Sequence, residues 1–347
     1  MAAALTVEFR DPGLPLLAEL ADPATASGLL GRLLDRPLRV RELAMVKHRP
    51  GRRCILRVAL EPEPGSPADD HRDLYLKLYS GGRADKVARR TAACAALAAC
   101  GPRVQIPPVL AVAPALDLVV IGGLGGQPFL DRVAAGQPGL ARRMALAMDH
   151  LHRIGAPALP AEVFSRHDAR RELAPLAARL AALEASGALP AGEAWRAGRA
   201  VERALDHAER LPWRWRLLHR DLHPGQVLVD GPRLAVVDWD DAALGEPALD
   251  LANFTAHLRL AALMADDPVP SRRLARAADS LAAWGLRLDP RLSRELLRLL
   301  EAATLLRLAC IHLDRGLGVP RARLLLRRGG RTLSHALEGL TDGDRRG

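Results

Sequence analysis

LLHRDLHPGQVLVDGPRLAVVDWDDAALGEPALD, residues Leu217 to Asp250, is the stretch around which the rest of the chain is organised. Two short apolar runs, Val227–Val229 and Leu234–Val237, flank Asp230-Gly231-Pro232-Arg233, which predicts a β-hairpin with a four-residue connection. His219-Arg220-Asp221 precedes the hairpin, with Gln226 five residues past the aspartate, and Asp238-Trp239-Asp240 follows it. A hairpin returns its ends to one another, so Asp221, Gln226 and Asp238 are expected to converge. Carboxylates gathered at one sheet end repel and lose hydration, and they persist where a cation or a proton-transfer role offsets that cost. Hard oxygen ligands suit magnesium, which takes one or two carboxylates together with substrate phosphates. A second carboxylate beside it can accept a proton from a hydroxyl. Those parts make a phosphoryl-transfer site.

His-x-Asp, an amide side chain five residues after the Asp, a hairpin and then a metal-binding Asp is the order of the kinase signature. HRDLHPGQVLVD followed by VVDWDDAALGEPALDLANF resembles the aminoglycoside phosphotransferase and choline kinase branch of the kinase-like fold. The Asp-Leu-His-Pro-Gly and Glu-Pro-Ala-Leu-Asp-Leu-Ala runs mark that branch rather than the protein kinases. The resemblance implies an α+β, two-lobed kinase-like fold: a small antiparallel-sheet N-lobe over 1–126 and a larger, mainly helical C-lobe over 127–347. It implies ATP and Mg2+ as cofactors, and a γ-phosphoryl group moved to a hydroxyl of a small molecule. Asp221 would orient and deprotonate that hydroxyl, Asp238 and Gln226 would hold the metal, and Lys77 would hold the α- and β-phosphates. His219 would pack under the catalytic loop, and Asp250 would brace its backbone. Asp240 reads equally as an accessory metal ligand or a solvated turn residue.

Upstream, Arg39–His48 and Cys54–Leu60 read as strands around a Pro50-Gly51 turn. No GxGxxG occurs there. Gly51 and Arg52 are the candidates to cover the nucleotide phosphates, by backbone amide and guanidinium; an ordinary basic hairpin tip is the rival reading. Glu61–Asp70 is a loop by composition. Asp73–Tyr79 alternates, which places Lys77 on one strand face with Tyr75 and Tyr79 and places Leu74, Leu76 and Leu78 on the other. Only three lysines (Lys47, Lys77, Lys86) stand among 50 basic residues, so a lysine inside a strand is not incidental surface charge.

Ala84–Cys100 reads as a helix closed by Gly101-Pro102. In the resembled family this helix gives a glutamate to the nucleotide lysine. Here it holds no Glu; Asp85 lies too near its start, and Thr91 stands where the acid is sought. Three outcomes stay open: another acid serves, phosphate alone holds Lys77, or catalysis is weak. Gln226 in place of the usual Asn adds about 1.5 Å of reach and points the same way. Gly122–Gly126 suits a hinge between lobes. His150 and His152, two apart on a predicted helix, read as packing residues rather than metal ligands.

The net charge of +10 invites a nucleic-acid partner, but aromatic residues are 3% and the arginines are dispersed, so none is expected. No apolar run is long enough for a membrane span, and no secretion signal is evident. Four cysteines without metal-ligand spacing read as buried thiols in a reducing cytoplasm. From Ala243 to Gly347, 17 arginines face 12 acids, which leans the acceptor toward a sugar or metabolite and away from a polycationic aminoglycoside. Two other readings remain beside the small-molecule kinase: a weak or inactive kinase-like nucleotide-binding protein, and a basic nucleic-acid-associated protein.

Overall fold

The computed structural model describes residues 9–61, 73–99, 104–154, 159–187, 192–211, 213–314 and 319–343. The expected loop beyond Glu61, the Gly101-Pro102 helix stop, Cys100 and the last four residues lie outside the described residues. The chain divides into two compact units. One holds Met1–Gly126 together with Ala235–Asp240; the other holds Gln127–Leu234 and Asp241–Gly347.

The first unit opens with α1 (Leu16–Glu19) and α2 (Pro23–Leu34). Asp22 caps α2 by accepting the Thr25 N–H at 2.9 Å, and Pro23 fills its first position. Then come β1 (Val40–Arg49), β2 (Arg53–Leu60), β3 (Leu74–Tyr79), α3 (Ala84–Ala98), β4 (Val104–Gln105), β5 (Val109–Ala113) and β6 (Leu118–Gly122). Five of these strands form an antiparallel sheet in the order β1-β2-β3-β6-β5. Strand alternation sorts β3 as expected. Leu74, Leu76 and Leu78 enter the main core with Leu17, Leu30 and Leu56, while Tyr75 and Tyr79 join a second cluster with Val87 and Ala88 of α3. The start of α3 is capped from elsewhere: Asp117 accepts the Gly82 and Ala84 N–H groups at 2.8 and 2.7 Å.

The second unit contains β7 (Gln127–Pro128), α4 (Phe129–Ala134), α5 (Leu140–His152), β8 (Arg166–His167), α6 (Ala169–Ala185), α7 (Glu193–Ala208), β9 (Arg216–Leu218), β10 (Val227–Asp230), β11 (Arg233–Val236), β12 (Ala243–Gly245), α8 (Ala248–Met264), α9 (Pro268–Leu288), α10 (Arg294–Asp314) and α11 (Val319–Gly343). The last two residues of β11 fall in the first unit. The hairpin connection is two residues, Gly231-Pro232, not four, because Asp230 and Arg233 extend the strands; Gly231 has φ +50. Arg143 of α5 donates to the Gly231 and Arg233 carbonyls at 2.8 and 3.0 Å and so fixes the turn. β12 pairs with β8 in parallel and with β9 antiparallel. α8 is buried along most of its length, packed by α9 and α10, so it lacks the polar stripe of a surface helix. The final helix continues through Gly343. No helix of the described residues is long and apolar enough to cross a membrane.

Candidate active site

The first unit holds one set of candidate residues. Lys77 is buried in the middle of β3, opposite Ile55 and Val119 on the neighbouring strands. Its ammonium donates to Asp238 Oδ1 at 2.9 Å and to Asp240 Oδ1 at 2.6 Å. Burial alone would lower the lysine's pKa; the Asp240 and Asp238 carboxylates outweigh that and raise it. Asp238 follows β11 in left-handed backbone, φ 67, a conformation that costs a non-glycine residue roughly 1–2 kcal/mol. Burial pushes the Asp238 carboxyl upward, but Lys77, Arg53 and Lys47 together hold it well below the usual carboxylate range, so it is an anion at every working pH.

Asp240 is not a solvated turn residue. It is 1% exposed and also accepts from Tyr79 Oη at 2.7 Å and Arg53 Nη1 at 3.1 Å. Three donors converge on it because β2 and β3 pair Arg53 with Tyr79, next to Lys77 on the same face. Asp85, the one acid of α3, is spent on a surface pair with Arg89 at 3.0 Å. The sequence signal for Asp240 was its spacing, two residues after the metal-type aspartate. Arg53 carried no signal beyond lying in the basic hairpin.

Gly51 tips the β1–β2 hairpin with φ +67. Its N–H donates to Asp11 Oδ2 at 2.8 Å, which also lies 2.7 Å from His48 Nε2, and the Arg52 N–H donates to the Arg49 carbonyl at 3.0 Å. Both amides are therefore already engaged, Gly51's by Asp11 and Arg52's within the turn, and the Arg52 guanidinium is exposed. At the other end of the sheet, Gly123 donates to the Asp73 carbonyl at 2.7 Å.

The second unit holds the other candidate residues. Asp250, in the first turn of α8 and 1% exposed, takes the His219 N–H on Oδ2 at 2.9 Å and the Arg220 N–H on Oδ1 at 2.8 Å. It therefore clamps the backbone immediately before Asp221. His152 Nε2 lies 3.2 Å from the same Asp250 carboxylate, so this histidine supports the loop rather than merely filling space. Arg220 has φ 75 and pairs with Asp241 at 3.3 Å. Asn253, one helical turn past Asp250, donates to the Leu222 carbonyl at 2.8 Å and is itself held by Arg307. His219 is buried, and Asp221 remains partly exposed on its loop. Gln226 ends a short 3-10 turn, 5% exposed, and its Oε1 has no hydrogen-bond partner among the described residues. Asn253 was missed in the sequence because nothing in its spacing marks it, and His152 was read there only as a packing residue.

Among the described residues no group of three or more His, Cys, Asp or Glu side chains forms a metal cage. Cys54, Cys94 and Cys310 are buried free thiols, and burial pushes those of Cys54 and Cys310 up to about 11.

The family model described as "Phosphotransferase enzyme family" matches residues 68–285. No curated protein matches the chain in sequence. Among solved structures, a macrolide 2'-phosphotransferase from Brachybacterium faecium is 19% identical, with a TM-score of 0.52 over 90% of this chain and 98% of that one. A fructosamine-3-kinase candidate from Thermobifida fusca is 20% identical, with a TM-score of 0.54 over 89% and 98%. The aminoglycoside phosphotransferase APH(4)-Ia is 16% identical, with a TM-score of 0.58 over 90% and 99%. At such identities the likeness establishes the kinase-like fold. The family match spans more than half of the chain, and the chain belongs to the phosphotransferase enzyme family.

Proposed function

We propose that this protein moves the γ-phosphoryl group of ATP to a hydroxyl of a small molecule, a sugar or metabolite rather than an aminoglycoside. The observation that carries the reading is Lys77: a buried ammonium on a central strand, seated on the aspartate that follows the hairpin. An ammonium in that position is costly unless anions compensate it, and nucleotide phosphates can take over the part Asp238 plays in the free protein. A related aminoglycoside phosphotransferase has been captured with AMP-PNP and hygromycin B, which supports nucleotide use in this fold.

Residues 1–126 would form the nucleotide-binding part, with Lys77 on the α- and β-phosphates and the Arg52 side chain at the hairpin tip. Residues 127–347 would carry the catalytic loop and the acceptor site. Asp238 and Gln226 would hold magnesium. Both fit the ion: Asp238 stays ionised, and the buried Gln226 Oε1 is an acceptor that otherwise costs roughly 1–3 kcal/mol to leave unmatched. Magnesium, when bound, neutralises charge on the transferring phosphoryl oxygens. Asp221 would orient the acceptor hydroxyl and take its proton, on a loop that Asp250 keeps in place. The excess of arginine over acid after Ala243 favours a neutral or anionic acceptor. Buried free thiols fit a reducing cytoplasm.

Gln226 in place of Asn and a helix without glutamate favour a second reading, a nucleotide-binding protein with little turnover. One experiment separates the two: a mixture of hydroxylated metabolites incubated with γ-labelled ATP and Mg2+, beside Asp238→Ala. Label entering a small molecule with the wild type and not with the variant supports the kinase. A wild type that binds ATP and labels nothing supports the binding protein.

A further inference from the structure

Asp240 is a buried carboxylate to which the mechanism above gives no task. Its Oδ2 is tied down by Tyr79 Oη at 2.7 Å and Arg53 Nη1 at 3.1 Å, and its Oδ1 receives Lys77 at 2.6 Å. Its main chain is held as well. Arg90, buried on α3 beside Thr91, donates to the Asp240 carbonyl. Helix α3, which carries no glutamate toward Lys77, thus carries an arginine that fixes another acid next to it. Asp238 is held more loosely. Its side chain is 17% exposed against 2% for Asp240, and among the described residues its second oxygen meets Lys47 and Arg53 at 3.9 Å. Of the two carboxylates on Lys77, Asp238 is the one free to turn to another cation, and Asp240 is the permanent one.

We propose that Asp240, seated by Arg53, Tyr79 and Arg90, is the positioning residue of Lys77 and replaces the acid that α3 lacks. It acts through Lys77 and touches neither nucleotide nor acceptor. With Asp240 in place, Lys77 stays extended toward phosphate when Asp238 engages a metal. Without it, Lys77 and Asp238 pair with each other and each is lost to the nucleotide. The inference rests on the nucleotide-binding reading above, and its test is built to fail separately.

The full-length chain is titrated with two fluorescent probes, mant-ATP with Mg2+ and mant-adenosine, which has no phosphate. Asp240→Asn is expected to weaken mant-ATP by about tenfold or more, equivalent to about 1.4 kcal/mol, and to leave mant-adenosine unchanged. Because Asp240 works through Lys77, the double variant Lys77→Met with Asp240→Asn is expected to bind mant-ATP no more weakly than Lys77→Met alone. Tyr79→Phe removes one anchor of Asp240 without removing a charge. It should weaken mant-ATP by about threefold, consistent with one modest hydrogen bond, and it serves if Asp240→Asn does not fold. Wild-type affinity in both variants, equal weakening of both probes, or losses that add in the double variant would each overturn the proposal. So would an effect seen only as a raised magnesium requirement, which would make Asp240 a metal ligand. A wild type that fails to bind mant-ATP overturns the proposed function itself, and this inference with it.

Discussion

Asp250 shows how one side chain can set a loop. Two backbone N–H groups, of His219 and Arg220, end on its two oxygens, and Arg220 is held in left-handed backbone as a result. Asp250→Ala leaves those donors without acceptors at a buried position. The expected loss is about 2–5 kcal/mol in a urea titration, and a change under 1 kcal/mol would deny the clamp. Acid sensitivity is a second residue-scale consequence. Burial raises the Glu172 carboxyl, but Arg307 and His167 overcome this and lower it from 4.5 to about 2. Its contribution is whole above 4.5 and is lost as pH falls toward 2, for about 3 kcal/mol. Burial, with the charges of His223, Arg307 and His312, lowers His257 from 6.5 to about 3. The unfolded chain then takes a proton that the folded one refuses, so stability drops as pH falls from 6.5 toward 3. Unfolding free energies measured between pH 6.5 and 4.5 should decline by ~1.4 kcal/mol per unit less steeply in His257→Gln than in wild type. Parallel slopes would contradict the assignment. Asp221, Asp238 and Lys77 could be picked out beforehand because their residue types sit at telling places in a motif. Arg53, Arg90 and Asn253 could not, because their roles arise from strand register and helix phase that only the folded chain fixes.

At the scale of elements, periodicity carried most of the reading. The leucine and lysine faces of β3 and the hairpin at Val227 were both visible as patterns of apolar spacing. What spacing could not give was the end of each element. The hairpin connection is two residues shorter because Asp230 and Arg233 belong to the strands rather than to the turn. The α3 cap comes from Asp117, a residue on a different segment. Gly123 is a further case. It reads as one glycine of a flexible cluster, yet a methyl group there would lie 2.3 Å from the Asp73 carbonyl oxygen. Its N–H also bonds that oxygen. Gly123→Ala must therefore push β3 and the segment after β6 apart. The expected cost is about 1–3 kcal/mol, read as a lower denaturant midpoint, whereas Gly125→Ala, which meets nothing within 4 Å, should be close to neutral. Equal behaviour of the two variants would mean that the close approach does not matter.

For the whole molecule, composition said least and the motif said most. A net charge of +10 is compatible with many partners; the family match places the chain among the phosphotransferases. The central claim is that Asp221 takes a proton from the acceptor while other residues hold the nucleotide. It is tested most directly by the rate at which Asp221→Asn, at saturating MgATP, passes label from γ-labelled ATP into a mixture of hydroxylated metabolites, alongside its affinity for mant-ATP. The expected result is a fall of about 100-fold or more in transfer, the usual worth of a general base, with mant-ATP affinity unchanged. Transfer at the wild-type rate, or a matching loss of nucleotide affinity, would contradict it.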